Sequence, residues 1–190
     1  MNSNKKLPIL LIEDSKGDAH LIEMYLKESS VKHDFIHAET FFDGTEEIKN
    51  RDIELVLLDL SLPDSSGFKT LTSFLEKFPN IPVIVLTSIN NEIIGNQSVK
   101  AGAQDFLVKG QFDGKLLGRS IRYSLQRFKT QVKLEDTARN LAISERRFVE
   151  AQEMARFGNW EMDIVTNEMK WTNELFRIFG FHPNLSLIHI

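Results

Sequence analysis

Acidic, hydroxyl and amine side chains follow four short apolar runs in the first 110 residues of the chain. Glu13 and Asp14 come after the first of these runs and Asp59 ends the second, while Thr87 and Lys109 come at the ends of the third and fourth. Taken singly, each has a plainer explanation, because Asp commonly caps turns, Thr favours strands and Lys is commonly a solvated charge. Their shared position after apolar runs is what suggests a common site.

The acidic members of this group have the chemistry of a magnesium site. Carboxylates crowded at one edge repel one another unless a cation lies between them, and Mg²⁺ prefers such hard oxygen ligands. We expect Asp14 and Asp59 to bind Mg²⁺ directly and Glu13 to contribute through a water. The backbone carbonyl of Ser61, just past Asp59, is expected to complete the ligand set.

The same residues also have the chemistry of phosphoryl transfer. An ionised carboxylate such as that of Asp59 is a nucleophile, and it accepts a phosphoryl group without the help of a general base. Phosphoryl transfer depends mainly on positioning and on neutralising charge. Thr87 and Lys109 are therefore expected to contact the phosphoryl oxygens of a phosphorylated Asp59.

An alternation of strands and helices must position these side chains. Short apolar runs bounded by turn residues predict buried strands, and apolar residues at helical spacing predict helices. The predicted strands are 8–12, 34–38, 55–59, 82–86 and 105–108. The predicted helices are 18–28, 43–50, 68–78 and 91–100, and Asp18 is the expected N-cap of the first. This order predicts an α/β fold with a doubly wound, five-stranded parallel sheet, whose strands end at one edge.

With these motifs in place, residues 7–128 resemble the receiver domain of two-component response regulators, which has a flavodoxin-like fold. The matching segments are Ile12-Glu13-Asp14, DLSLPDSSG at 59–67, Leu86-Thr87-Ser88 and AGAQDFLVK at 101–109. The resemblance is specific because these motifs occur in order, each at its expected strand.

The resemblance implies that Asp59 accepts a phosphoryl group from a phosphohistidine on a sensor histidine kinase or a phosphotransfer protein. It also implies that Glu13, Asp14, Asp59 and the Ser61 carbonyl hold Mg²⁺, directly or through water, and that Thr87 and Lys109 bind the phosphoryl group. Phe106 occupies the aromatic switch position of the family, and its ring is expected to turn inward as Thr87 shifts toward the phosphate. The alternative is that Phe106 is a static core residue.

One residue departs from the family pattern. The family usually has Pro after the lysine, and this chain has Gly110, which gives a freer backbone there. The Lys109 side chain is still expected to reach the site, but the loop before the last helix is expected to differ. Ser61 and Ile89 occupy positions that tune phosphate lifetime in the family, and no rate follows from their identity.

A long helical segment follows the receiver-like part. Residues 115–156 contain no Pro, and no Gly after Gly118, which predicts one long helix or two closely joined ones. One apolar series contains Ile121, Leu125, Phe128 and Val132, and a second, offset series contains Leu134, Ala138, Leu141, Glu145 and Phe148. We expect residues 129–156 to form a dimeric coiled coil that makes the chain a homodimer. The alternative is a monomeric helix packed on its own receiver to about Phe128.

Residues 157–190 resemble the entry into a PAS sensor domain, an α+β fold. The resemblance covers Ser144 to Phe148, Phe157-Gly158-Asn159-Trp160, Trp171 and Leu175 to Gly180. We expect two strands joined at Thr166-Asn167, and a helix over 174–179 with Asn173 as a cap. We interpret this part as a truncated PAS fragment of marginal stability, with a foreign tail at 185–190. The alternative is a small hairpin that caps the helix.

Composition limits the remaining functions. The absence of cysteine excludes disulfides and thiolate chemistry, and the net charge of −4 predicts no nucleic-acid partner for this chain. No apolar run approaches the length of a membrane span or of a signal peptide, so a cytoplasmic protein without membrane attachment is expected.

The expected domains are therefore a receiver at 1–128, a helical linker at 129–156 and a PAS fragment at 157–190. The expected function is phosphorelay signalling, in which the receiver passes a conformational change through its last helix to a sensory or output region. Beyond its own phosphorylation and dephosphorylation, the chain is not expected to be an enzyme. Two alternatives are a pseudo-receiver that binds partners without phosphate and a phosphatase with an aspartyl nucleophile. The phosphatase is disfavoured because such enzymes need a second Asp where this chain has Ser61.

Overall fold

The computed structural model describes residues 6–88, 92–155 and 157–182 of the 190-residue chain. The chain divides into two compact units, residues 1–131 and residues 132–190. Among the described residues, no helix combines the length and the apolar character needed to cross a membrane.

The first unit is built on a five-stranded parallel sheet, as predicted. Its strands are β1 (Leu7–Ile12), β2 (His33–Ala38), β3 (Leu55–Asp59), β6 (Val83–Thr87) and β7 (Asp105–Val108), in the spatial order β2-β1-β3-β6-β7. Two short segments after β3, β4 (Ser61–Leu62) and β5 (Ser65–Ser66), pair antiparallel with each other. The helices are α1 (Lys16–Glu28), α2 (Phe41–Asn50), α3 (Phe68–Lys77), α4 (Glu92–Ala101) and α5 (Gly114–Ala155).

Helices cover both faces of this sheet. Successive strand residues point to opposite faces, and apolar side chains on each face are buried against the helices. The core against α2, α3 and α4 contains Leu10, Ile12, Phe41, Val56, Leu58, Leu71, Phe74 and Val85. The core against α1 and α5 contains Ile9, Leu11, Ile22, Leu26, Leu55, Leu57, Leu117 and Ile121. The strands are apolar on both faces for this reason, and the predicted doubly wound architecture is confirmed.

Two helix starts were predicted wrongly. Helix α1 begins at Lys16, and its N-cap is Ser15, whose hydroxyl accepts a hydrogen bond from the Asp18 amide. Asp18 is therefore the third residue of the helix and not its cap. Helix α2 begins at Phe41 after the N-cap Thr40, two residues before the predicted start. The predicted start of α4 at Asn91 lies outside the described residues.

Helix α5 is one uninterrupted helix of 42 residues, and it confirms the prediction of a long helix. Leu117 and Ile121 are buried in the first unit, while the side chains of residues 129–151 are exposed. Leu134, Leu141 and Phe148 are 69%, 60% and 61% exposed. The described part of α5 ends at Ala155, and the predicted end at Arg156 lies outside the described residues.

The second unit contains an antiparallel hairpin of β8 (Trp160–Asp163) and β9 (Glu168–Trp171), followed by α6 (Asn173–Ile178). Its turn contains Asn167 at φ 58°. The Trp171 ring packs on two rings of the α6 segment, with centroids 5.4 Å from Phe176 and 5.3 Å from Phe179. The predicted hairpin and helix are present, but the cap was predicted wrongly, because Thr172 and not Asn173 is the N-cap. The tail at 185–190 lies outside the described residues.

Candidate functional site

Neighbouring strands bring most of the predicted site residues to one edge of the sheet. Glu13 and Asp14 directly follow β1, Asp59 ends β3, Thr87 ends β6, and Lys109 follows β7. These four strands are consecutive in the sheet and parallel. Their carboxyl ends therefore meet at the edge where open α/β sheets bind ligands.

The Lys109 ammonium is the centre of the contacts at this edge. Its Nζ lies 2.5 Å from Glu13 Oε2 and 2.7 Å from Asp59 Oδ2. A third carboxylate oxygen, Asp18 Oδ2 of α1, lies 3.1 Å from the same nitrogen. The ammonium donates hydrogen bonds to the Asp18 and Asp59 carboxylates and forms a close ion pair with Glu13. The backbone amide of Lys109 also donates to the Thr87 carbonyl at 2.8 Å, which fixes the start of this loop to β6.

The two strand-end carboxylates that contact Lys109 are buried. Glu13 is fully buried and Asp59 is 5% exposed, whereas Asp14 is exposed. One ligand atom from each of Glu13, Asp14 and Asp59 lies within 4.8 Å of the others. An all-oxygen set that is open to water on one side suits Mg²⁺, which keeps part of its water shell. The residues present therefore fit a magnesium ion.

The surroundings raise the pKa values of both Glu13 and Lys109, for different reasons. Burial raises the pKa of the Glu13 carboxyl above its ordinary 4.5, and the neighbouring Asp59 raises it further, while Lys109 opposes both. Burial alone would lower the pKa of Lys109, but its contacts with Asp59 and Glu13 outweigh this, and the pKa lies above the ordinary 10.5. Lys109 is therefore fully charged at neutral pH, and the ionised form of Glu13 is disfavoured by its surroundings.

The loop after Asp59 is fixed at both ends. The Ser61 amide donates to Asp59 Oδ1 at 3.2 Å, and the Gly67 amide donates to the Leu60 carbonyl at 2.7 Å. Between them, the carboxylate of Asp64 accepts hydrogen bonds from the first two amides of α2, those of Phe41 and Phe42, at 2.8 Å each. Asp64 thus joins the loop that carries Ser61 to a neighbouring helix N-terminus, where a negative charge is favourable.

Thr87 and Phe106 lie on neighbouring strands beside the acids. Thr87 is 2% exposed, and its hydroxyl donates to the Ser88 carbonyl at 3.2 Å. The Phe106 ring is half-buried and lies over Gly95 of α4. A Cβ at position 95 would lie 2.3 to 2.7 Å from three ring carbons, so the absence of a side chain at Gly95 makes room for this ring.

Gly110, the departure from the family pattern, has a φ of +79°. Proline cannot adopt this value, because its ring holds φ near −65°. The loop after Lys109 thus has a conformation that depends on glycine at this position. Lys109 nevertheless contacts Asp59 and Glu13.

Comparison with known proteins identifies the first unit. Residues 9–120 match the family model of the response regulator receiver domain. The response regulator Rcp1 of Synechocystis is 37% identical over 99 residues, which cover 47% of this chain and 67% of that protein. The chain belongs to the response regulator receiver family.

Two further relatives support this assignment. The regulatory protein LuxO of Vibrio cholerae is 33% identical over 99 residues, but these cover 52% of this chain and only 21% of LuxO. The crystal structure of the signal receiver domain of a LuxO repressor protein from Vibrio parahaemolyticus has a TM-score of 0.59 and 30% identity. That comparison covers 69% of this chain and 98% of that domain. The receiver assignment is consistent with two-component phosphorelay signalling.

Two long-range contacts made by acids of the receiver were not predicted from the motif positions. Asp18 reaches Lys109 from α1, and its sequence position suggested a helix cap. Asp64 lies in a turn where an acid is commonplace, and its contact with α2 spans 22 and 23 residues. The only sequence signal for Asp18 was its spacing after Ser15, which is typical of a capping box.

Proposed function

We propose that Asp59 is the phosphoacceptor of this receiver, and that it takes a phosphoryl group from a phosphohistidine of a sensor histidine kinase or a phosphotransfer protein. The observation that carries this proposal is the placement of the Asp59 carboxylate, which lies 2.7 Å from the Lys109 ammonium and within 4.8 Å of the Glu13 and Asp14 carboxylates. A nucleophile, a cation and an oxygen ligand set are thus held together at one sheet edge.

The transfer itself needs few groups. An oxygen of the ionised Asp59 carboxylate forms a bond to phosphorus while the P–N bond to the partner's imidazole breaks, and the imidazole nitrogen keeps the electron pair. The Lys109 ammonium donates a hydrogen bond to Asp59 Oδ2, so it is placed to bind the oxygens of the transferred phosphoryl group. Thr87 can offer its hydroxyl by giving up the Ser88 carbonyl. Glu13, Asp14, Asp59 and the Ser61 carbonyl are the proposed magnesium ligands, and bound Mg²⁺ would neutralise charge on the phosphoryl oxygens.

Mass spectrometry after incubation with a small phosphodonor and Mg²⁺ tests this proposal. The wild-type chain should gain one phosphate, Asp59→Asn should gain none, and Asp34→Asn, an exposed acid of β2, should label like wild type. Equal labelling of the Asp59→Asn variant would reject Asp59 as the acceptor. A wild-type chain that takes no phosphate would instead support the pseudo-receiver, which acts through binding alone.

We further propose that phosphorylation is transmitted through Thr87 and Phe106. A Thr87 hydroxyl that moves toward the phosphate leaves space beside β7, and the Phe106 ring turns inward to fill it. That movement would remove the ring from Gly95 of α4 and change the surface near α4 and α5. Helix α5 would carry the change toward a sensory or output region.

The exposed stripe of Leu134, Leu141 and Phe148 on α5 supports the proposed homodimer. These residues recur every seven positions, and a lone helix leaves them more than half exposed to water. Leu141→Glu should convert a dimer into a monomer in sedimentation equilibrium. Asn140→Glu, which places the same charge on the preceding residue and outside the stripe, should leave the dimer intact. A wild-type chain that stays monomeric at high concentration would exclude the coiled coil.

For residues 157–190 we propose a PAS-like hairpin and helix of marginal stability. The described residues supply one two-stranded sheet and one six-residue helix, and an isolated hairpin of this size is marginal in water. Hydrogen exchange should therefore be fast across Trp160 and Trp171. Slow exchange there would show a closed core and contradict the proposal.

A further inference from the structure

Asp18 is an acid of the site that the phosphotransfer chemistry above does not use. It lies in the first turn of α1, and its side chain is 44% exposed. Its Oδ2 accepts a hydrogen bond from Lys109 Nζ at 3.1 Å, and the two residues are 91 positions apart in the sequence. The contact therefore joins α1 to the loop after β7.

The local hydrogen bonds show why the Asp18 carboxylate is available to Lys109. In a capping box, the acid at the third helical position accepts from the N-cap amide. Here the amide of the N-cap, Ser15, donates to Glu13 Oε1 at 3.2 Å. Ser15 still caps the helix by accepting from the Asp18 amide at 3.3 Å. Glu13 thus accepts the hydrogen bond of the Ser15 amide that Asp18 would accept in a capping box, and the Asp18 carboxylate binds the Lys109 ammonium instead.

The contacts of Lys109 place Asp18 in competition with an incoming anion. The ammonium donates hydrogen bonds to Asp59 and Asp18 and forms an ion pair with Glu13. A phosphoryl group on Asp59 would take over the Asp59 contact with Lys109, and its remaining oxygens would compete with the Asp18 and Glu13 carboxylates for the same ammonium. The Asp18 contact is the longest of the three, and its carboxylate is the most exposed, so it is released at the lowest cost in desolvation.

We infer that Asp18 is a positioning residue that holds Lys109 in the unphosphorylated receiver and competes with the phosphoryl group for its ammonium. The inference rests on the proposed phosphorylation of Asp59. Phosphorylation then releases Asp18, and the α1 contact with the β7–α5 loop is broken. Because an exposed ion pair of this kind is weak, removing the Asp18 charge should tighten binding of a phosphoryl mimic by about two- to fivefold.

Beryllium fluoride, which binds a carboxylate in place of a phosphoryl group, tests this at equilibrium. Its affinity is measured by titration at Mg²⁺ concentrations that saturate each variant of the full chain. Asp18→Asn should bind about two- to fivefold more tightly than wild type. The matched control is Glu23→Gln, an acid of the same helix that pairs with Lys27 at 2.6 Å, and it should bind like wild type.

A second measurement needs neither Mg²⁺ nor the mimic. The ¹⁵N signal of the Lys109 ammonium in the metal-free chain should shift in Asp18→Asn and stay in place in Glu23→Gln. An unshifted signal, or an affinity for beryllium fluoride that is equal to or below the wild-type value, would overturn the role of Asp18. Failure of the wild-type chain to bind beryllium fluoride would instead reject the proposed acceptor site.

Discussion

Replacing Lys109 with Met keeps most of the side-chain volume and removes the only charge that faces both buried acids in the described part of the site. Glu13 is fully buried and Asp59 is 5% exposed, and each lies within 2.7 Å of the ammonium. Removing one partner of a buried ion pair costs about 3–5 kcal/mol. Since the Lys109 side chain is 20% exposed, solvent screening places the expected loss near the lower limit, at about 3 kcal/mol at pH 7.

The loss should depend on pH and on magnesium. Without Lys109, the already raised pKa of Glu13 rises further, so the folded variant binds a proton more tightly than the unfolded chain. A raised pKa of an acid contributes stability at low pH that is lost as pH rises through the folded value. The deficit of Lys109→Met should therefore shrink as pH falls from 7 toward 4.5, and added Mg²⁺ should recover part of it at pH 7.

Urea denaturation followed by far-UV circular dichroism measures this loss. Tryptophan fluorescence is unsuitable, because both tryptophans, Trp160 and Trp171, lie in the second unit. Lys49→Met is the control, since Lys49 forms an exposed ion pair with Glu46, and its loss should stay below about 0.5 kcal/mol. A Lys109→Met variant as stable as this control, or equally destabilised at pH 5 and pH 7, would refute the electrostatic reasoning.

Three further predictions follow from individual contacts. Glu13→Gln should stabilise the metal-free chain in urea at pH 7, because the raised pKa shows that the ionised form is disfavoured, and the gain should fade as pH falls toward 4.5. Gly95→Ala should cost about 1–2 kcal/mol, since the new Cβ overlaps the Phe106 ring. This cost should vanish in a Phe106→Ala background, and its persistence there would exclude the ring as its cause. Asp64→Ala should cost about 1–2 kcal/mol by removing two hydrogen bonds from the α2 N-terminus, and an unchanged denaturation midpoint would contradict that role.

The parallel sheet was predictable because its strands are buried on both faces. Residues 55–59 and 82–86 have no polar alternation, and flanking turn residues mark their limits. Such runs also predict where the strands end, and that places Asp59 and Thr87 at one edge. The acid, hydroxyl and amine positions followed from this pattern alone.

Helix starts were less predictable, because several good capping residues stand close together. Ser15 and Asp18 are both favourable N-caps, and only the hydrogen bond from the Asp18 amide to the Ser15 hydroxyl decides between them. Helix α2 posed the same problem at Thr40 and Asp43.

The spacing of residues in the sequence does not predict contacts between distant segments. The Asp18 contact with Lys109 depends on the packing of α1 beside the end of β7, and the Asp64 contact depends on the position of α2. Gly95 was predicted only as part of a helix, and its close approach to Phe106 depends on the positions of both backbones. These features arise from packing distances, which residue types alone do not specify.

The spacing of residues on α5 specifies the direction of its exposed stripe. Leu134, Leu141 and Phe148 lie on one uninterrupted helix, so each residue inserted between two of them would turn one relative to the other by about 100°. Seven inserted residues would change that direction by only about 20°. Five would turn it by about 140°. The number of residues between the apolar positions therefore decides whether they form one stripe, and a helix with different residues between them but the same spacing would keep it.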